Sequence, residues 1–272
     1  MILVLQAKML LQLLFGFLAA LFIAFAAYRA HSLSRSGAWG ATLVGTIIFG
    51  LGGWKWAILL LAFFISSSAL THLFGRRKAT LDEKFEKGGR RDLGQVLANG
   101  WVACLFTGFH FFFPAASWTW IGFAAALAAV NADTWSTELG VLNPSPPRLI
   151  TNGEAVEKGT SGAISLYGTL SAVGGSALIA VLAGGLGPSG RFWTTAEIIT
   201  VAGVTGALFD SFLGATVQAI YRCPKCEKET EHHPLHKCGT ATIQIRGWKW
   251  LNNDLVNLAC AAMGTIIGLL LF

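Results

Sequence analysis

Long uncharged runs alternate along the chain with short stretches that collect almost all of its charge. A hydrocarbon core about 30 Å thick takes roughly 20 apolar residues per helix. Runs of that kind fall at 3–27, 37–51, 55–73, 93–113, 117–134, 162–186, 196–220 and 250–272. The pattern predicts an all-α polytopic membrane protein, a bundle of about eight transmembrane helices with seven to nine as the range. The second run is short and glycine-rich, so it is expected to tilt, to re-enter, or to fuse with the third across Gly52 and Gly53. The first is too long for a signal peptide and lacks a small-residue cleavage site, so it reads as a retained helix. With no solenoid period and no low-complexity segment, residues 1–272 read as a single integral membrane domain with a Cys/His loop at 221–249.

Composition agrees: 54% hydrophobic residues against 12% charged, with a mean hydropathy of +0.58, excludes a soluble domain. With these spans the loops 28–36, 74–92, 135–161 and 221–249 share one side and hold every Lys and Arg except Lys8, Lys55 and Arg191. Because cytoplasmic loops carry the excess of positive charge, the expectation is a multi-pass protein of the cell (inner) membrane with its termini outside and its long loops cytoplasmic. The net charge of +6 is then a topology signal. Its basic residues are not interleaved with aromatics on a stacking surface, so nucleic acid is not an expected partner. Nothing in the sequence indicates an oligomeric state.

Against this background the acids inside or at the ends of the spans stand out. An Asp near a bilayer centre costs about 2.5–3.5 kcal/mol or more. Asp210 falls mid-span, Asp133 ends the fifth span in "NADTWSTELG", and Asp254 enters the last in "WLNNDLVN". In the seventh span Gly203, Gly206, Asp210, Gly214 and Gln218 share one small, polar face that should point into the bundle. The plain reading makes these acids buried structural groups and makes Asn99, Asn131, Asn253 and Asn257 hydrogen-bond links between helices. The sharper reading gathers carboxylates at one membrane depth to hold Mg²⁺, which is usually bound through one or two carboxylates plus the phosphates of a substrate.

The following loop, "PSPPRLITNGEAVEKGTSGAIS", suits such a site. It sets Arg148 and Lys158 near Gly159, Thr160, Ser161 and Gly162, which open the sixth span, where a helix start supplies unpaired donors to an anion. It is not a Walker A loop, since the order is Lys-Gly-Thr where that motif needs Gly-Lys-Thr. A turn and helix cap is the plain alternative. The 74–92 loop reads first as a solvated positive face; its sharper reading uses Lys84, Arg90 or Arg91 for phosphate, near Gln95 and Asn99 on one helix face.

Of five cysteines, Cys104 and Cys260 lie in apolar spans and read as core residues. Cys223, Cys226 and Cys238 share a loop with His232, His233 and His236, so Cys223, Cys226, His236 and Cys238 are a candidate structural Zn²⁺ site; a reducible thiol pair, or no site, stays open.

Together "SSALTHLFG", "GQVLANG", "NADTWSTELG", "KGTSGAISLYGT", "GALFDSFLGATVQ", the CxxC with "HKCGT", and "WKWLNNDLVN" resemble, in order and over nearly the whole chain, an integral membrane family long carried as a domain of unknown function. The plant phytyl-phosphate kinases of vitamin E synthesis belong to it, and the layout is also similar to that of phytol and dolichol kinases. The resemblance implies phosphoryl transfer from a nucleoside triphosphate, CTP being the expected donor, to a membrane isoprenyl monophosphate, with the active site at the cytoplasmic membrane edge. On that basis Asp133, Asp210 and Lys158 are the expected catalytic residues, with Asp133, Asp210 and Glu138 toward Mg²⁺. Substrate and nucleotide contacts are expected from Asn131, Arg148, Gly159, Thr160, Ser161, Gly162, Lys84, Asn99, Asn253 and Asp254. Two rivals share the topology: a small-solute or ion transporter, which expects polar residues along both halves of the bundle, and a CTP-dependent lipid cytidylyltransferase.

The topology is testable at once. Single cysteines in 74–92 and in 135–161 should be labelled from the same face of oriented vesicles, the cytoplasmic one; labelling from opposite faces separates the loops and dissolves the shared site.

Overall fold

A chain crossing hydrocarbon has to satisfy its backbone polar groups within itself, and each of the eight apolar runs does so as a helix. The computed structural model describes residues 2–78 and 89–272, with side chains from 9–74 and 89–272. Its helices are α1 (Ile2–Arg29), α2 (Arg35–Ile47), α3 (Trp54–Lys78), α4 (Leu93–Phe112), α5 (Ser117–Gly140), α6 (Leu166–Leu186), α7 (Phe192–Thr216) and α8 (Asn253–Leu271). Within them Met9–Arg29, Trp54–Phe74, Leu166–Leu186, Phe192–Thr216 and Asn253–Leu271 are long and apolar enough to cross a membrane. Two small antiparallel sheets lie between helices. β1 (Arg148–Leu149) pairs with β2 (Ala163–Ile164), and β3 (Ile220–Arg222) lies between β4 (Glu229–Thr230) and β5 (Ile243–Arg246).

Three boundaries depart from the sequence reading. The second span does not fuse with the third: α2 widens into a π-helical turn, Ile48–Gly52, which ends at Gly53, whose φ of 82° favours glycine. Helix α5 continues to Gly140, so all of 131–140 is helical and the loop begins six residues later than expected. Helix α6 starts later, at Leu166, because Ser165 is its cap, its Oγ accepting from the Gly168 N–H at 3.1 Å. Residues 159–162 are therefore a turn leading into β2, not the helix start itself.

The centre of the bundle is α5. It packs against α3, α4, α6, α7 and α8, and residues 119–132 are buried without exception. A helix apolar all round belongs in a core, and this one is built mostly of alanine, which lets its neighbours come close. The neighbours answer with glycine. A Cβ at Gly264 would meet Ala129 Cβ at 2.6 Å and the Ala125 carbonyl at 3.1 Å, and one at Gly206 would meet Ala129 Cβ at 2.6 Å and the Cys260 carbonyl at 2.8 Å. The small face expected on α7 does point inward. Hydrogen bonds lock the contacts: Thr265 Oγ1 donates to the Gly122 carbonyl (3.1 Å), Trp120 Nε1 to Ala183 (3.1 Å), and Ser176 Oγ to Thr200 (3.0 Å).

Gly264→Ala should accordingly destabilise the detergent-solubilised protein by about 1–3 kcal/mol, the scale of overpacking. By contrast Gly108, with nothing within 4 Å of a Cβ, should tolerate alanine or gain about 0.5–1 kcal/mol from it. Thermal unfolding of the two variants checks this; equal shifts would mean that α5 is not the tightly packed centre.

Candidate functional site

The C-terminal ends of α3, α5 and α7 and the N-terminal ends of α4, α6 and α8 meet at one end of the bundle around a polar cavity of about 590 Å³, within the size range of small-molecule sites. The continuation of α5 beyond its buried stretch brings Asp133, Thr134, Ser136 and Glu138 to the cavity wall. Asp210 arrives from α7. Glu231 arrives from the residue after β4.

Asp133 and Glu231 lie close enough to Asp210 for their negative charges to act on it. Asp210 Oδ2 is buried with no hydrogen-bond partner among the described residues. A buried carboxylate oxygen left without a donor, beside two more carboxylates, is the electrostatic setting that a cation relieves. Carboxylate oxygens are the kind of donor that suits a hard divalent cation. Glu138 sits elsewhere on the wall, 7% exposed, its Oε1 accepting from Thr71 Oγ1 at 3.0 Å.

Positive charge faces these acids. Lys158 lines the cavity and also closes the end of α5, its Nζ donating to the carbonyls of Val141 (3.0 Å) and Asn143 (2.6 Å). Arg91 is fixed by its backbone before its side chain does anything: its N–H donates to the Ser32 carbonyl (3.0 Å) and its carbonyl accepts from the Ser34 N–H (2.9 Å). The guanidinium lies 5.7 Å from the rings of Phe63 and Phe64, and Nη1 donates to Ser68 Oγ at 3.1 Å. Burial pulls its pKa down to about 10, opposed by the charge of Glu138, so it stays cationic at neutral pH. The turn 159–162 completes the wall. Gly159 and Gly162 take φ of 80° and 81°, and a Cβ on Gly162 would collide with the backbone of Ala215. Ser161 Oγ donates to Gln218 Oε1 (2.8 Å), and Gln218 Nε2 donates to Glu231 Oε1 (2.9 Å), so a chain of hydrogen bonds runs from the turn to the third acid.

The structure therefore brings Asp133, Asp210, Glu138, Lys158, Gly159, Thr160, Ser161, Gly162, Asn99 and Asn253 to one cavity. Three expected residues lie off its wall. Asn131 is fully buried and ties three helices, its Nδ2 donating to the Gly175 carbonyl (2.8 Å) and its Oδ1 accepting from Ser66 Oγ (3.2 Å). Arg148 is exposed and holds its own turn through the Gly153 carbonyl at 2.7 Å. Asp254 occupies the first turn of α8, where a carboxylate meets the positive end of the helix. Lys84 lies outside the described residues. The sequence reading missed Glu231, His31 and His72, all on the wall. For His72 the signal was available: a titratable histidine within a membrane-span end, now 2.8 Å from Ser32 Oγ.

A second cavity, about 290 Å³ and almost wholly apolar, runs between α1, α2, α3 and α4, lined by residues such as Gly16, Ala20, Ala41, Gly45 and Leu61. Arg91 and Asn99 line both this groove and the polar cavity. The two spaces share a border.

The family model described as "Integral membrane protein DUF92" matches residues 18–265. The chain belongs to this family. Among DUF92 relatives, Protein PGR of Arabidopsis thaliana is 33% identical over 268 residues, covering 90% of this chain and 91% of its own length. An uncharacterised membrane protein of Methanocaldococcus jannaschii is 34% identical over 248 residues, 90% of this chain and 87% of its own. Protein VTE6, chloroplastic, of Arabidopsis thaliana is 27% identical over 243 residues, 88% of this chain and 65% of its own. No solved structure matches the chain. The DUF92 membership extends from within α1 to within α8, so it includes every helix that contributes to the cavity.

Proposed function

We propose that the protein transfers the terminal phosphoryl group of a nucleoside triphosphate, with CTP the expected donor, to a membrane isoprenyl monophosphate of the phytyl or geranylgeranyl type. The observation that carries this reading is the border between the two cavities, one polar and charged, one apolar, with Arg91 and Asn99 common to both. A lipid with a phosphate head and a hydrocarbon tail has the shape of that border. The resemblance of its motifs to the family of the plant phytyl-phosphate kinases supports the same assignment.

In the reaction an oxygen of the acceptor phosphate bonds to the terminal phosphorus of the donor, and the bond from that phosphorus to its bridging oxygen breaks, its electrons leaving with the nucleoside diphosphate. A phosphate monoester whose second pKa is about 6 is already a dianion at neutral pH, so no base has to take a proton. What remains is to align two polyanions and offset their repulsion. Asp133 and Asp210, with Glu138 and Glu231 at hand, would hold Mg²⁺, which supplies positive charge against the donor phosphates. The orphaned Asp210 oxygen is the observation that fits such an ion. Lys158 and the turn 159–162 flank the donor phosphates with cationic and hydrogen-bonding groups, while Arg91 and Asn99 receive the acceptor head and leave its tail in the groove. Burial of that tail contributes about 0.8 kcal/mol per CH₂ removed from water, which is a reason to keep the groove dry.

Three measurements test this. Purified protein with Mg²⁺ and isoprenyl monophosphates should move label from the terminal phosphate of CTP into lipid; label moving from the innermost phosphate instead identifies a cytidylyltransferase, and no transfer from any triphosphate rejects both enzymes in favour of a transporter. Asp133→Asn should lower turnover about 100-fold or more, equivalent to about 2.7 kcal/mol, without loss of thermal stability. Glu197→Gln, exposed on the first turns of α7 at the opposite end, should not. Ala41→Phe, which fills the apolar groove, should raise KM for a long-chain acceptor roughly tenfold, the scale of a few CH₂ groups kept out of the groove, while sparing a short water-soluble prenyl phosphate. Equal effects on both would detach the groove from the tail.

A further inference from the structure

The loop between α7 and α8 is too small to fold on its own core: its strands have only two to four residues, and Cys223, Tyr221, Ile220 and His236 are among its few buried side chains. What holds it together is visible in its side chains and its backbone. One donor atom from each of Cys223, Cys226, His236 and Cys238 falls within 4.8 Å of all the others. Cys223 Sγ is 3.5 Å from Cys238 Sγ, and Cys238 Sγ is 3.2 Å from His236 Nδ1. Four ligands placed tetrahedrally at about 2.3 Å from a zinc ion stand about 3.8 Å apart, so the side chains need only a small adjustment.

The backbone repeats one device twice. The Glu227 N–H donates to the Cys223 carbonyl at 2.8 Å, and Glu227 has a φ of 57°. The Gly239 N–H donates to the His236 carbonyl at 2.8 Å, and Gly239 has a φ of 80°. Each ligand pair is thus followed by a residue in the left-handed region that closes a tight turn back onto the first ligand of the pair. For Glu227 that conformation is costly, which needs a compensating interaction. The histidines divide their roles in the same geometry: His233 stacks on Tyr221 with ring centres 4.4 Å apart, leaving His236 to face the sulfurs.

We propose that Cys223, Cys226, His236 and Cys238 bind one structural Zn²⁺, and that this ion fixes the β4-β3-β5 sheet so that Glu231, the residue after β4, is held at the polar cavity through Gln218. The zinc site stands independently of the phosphoryl-transfer reading; only the contribution of Glu231 to turnover rests on it.

Elemental analysis of the full chain purified in detergent, without added metal, should find about one zinc per chain. Replacing it with Co²⁺ should give the visible bands of a tetrahedral site together with thiolate charge-transfer absorption. Cys226→Ser combined with Cys238→Ser should lose both signals and open the 221–249 loop to protease, whereas Cys104→Ser and Cys260→Ser should keep them. If the double variant does not fold, the cobalt spectrum of the unaltered chain decides alone. Metal-free protein without a thiolate band, or a mapped Cys223–Cys238 disulfide, overturns the site. Glu231→Gln should retain zinc and lower turnover to the level of the metal-depleted protein; zinc retained with turnover unchanged removes the role of Glu231 and leaves the metal site.

Discussion

Lipid gives no hydrophobic reason for one apolar helix to prefer another, so a membrane bundle has to be held by close packing and by the few polar bonds between its helices. Here that constraint falls on α5. Its alanines and the glycines of α6, α7 and α8 bring backbones together at distances that a single added methyl would disturb. Everything at the polar end follows from this centre. Asp133 can stand beside Asp210 because α5 and α7 touch along Ala128, Ala129, Gly203 and Gly206, with no large side chain to push their ends apart. The cavity is in that sense the place where the small-residue packing stops and the helices run on into polar sequence.

Three acids converging at the end of an apolar bundle would weaken it if nothing opposed them. The opposition is arranged asymmetrically. Lys158 is held by two carbonyls at the end of α5, and Arg91 by a backbone pairing with the α1–α2 connection, so each cation is positioned by main chain before it meets any ligand. Asp210 is less satisfied, its Oδ2 having no hydrogen-bond partner among the described residues. Such a site is stabilised by what it binds, since a ligand that prefers the folded cavity adds its binding free energy to the fold.

The helices were legible because hydropathy alone selects them, and the inward face of α7 because five small or polar residues share one period. Their ends were less so. The expected span ends at 134 while the helix continues to Gly140, because a polar helix end remains helical when neighbouring helices and its own side chains, such as Thr134 Oγ1 on the Val130 carbonyl, support it. One misplaced site residue was readable from helical geometry. Residues two apart on a helix point to nearly opposite sides. If Asp133 faces the cavity then Asn131 faces the bundle, as it does. Asn253 and Asn257, four apart, share the cavity wall. Glu231 had no such signal: 21 positions after Asp210, in a loop rich in charge, it reaches the cavity only through the β4-β3-β5 sheet.

Arg91 shows how one residue can divide two kinds of solvent. Its guanidinium rests against Phe63 and Phe64 on the apolar side and hydrogen-bonds Ser68 beneath the charge of Glu138 on the other. A lysine could not occupy both environments equally well, because its compact ammonium is more strongly hydrated and has no planar face to lay on a ring. The arginine keeps its charge even when burial lowers its pKa, because about 10 still lies well above neutrality. A cation fixed at that depth marks the level at which a phosphate is favoured and a hydrocarbon tail must begin. An amphiphile of the proposed kind would be oriented by the border itself, head toward the acids and the 159–162 turn, tail toward α1 and α2, before any contact specific to its chemistry is made.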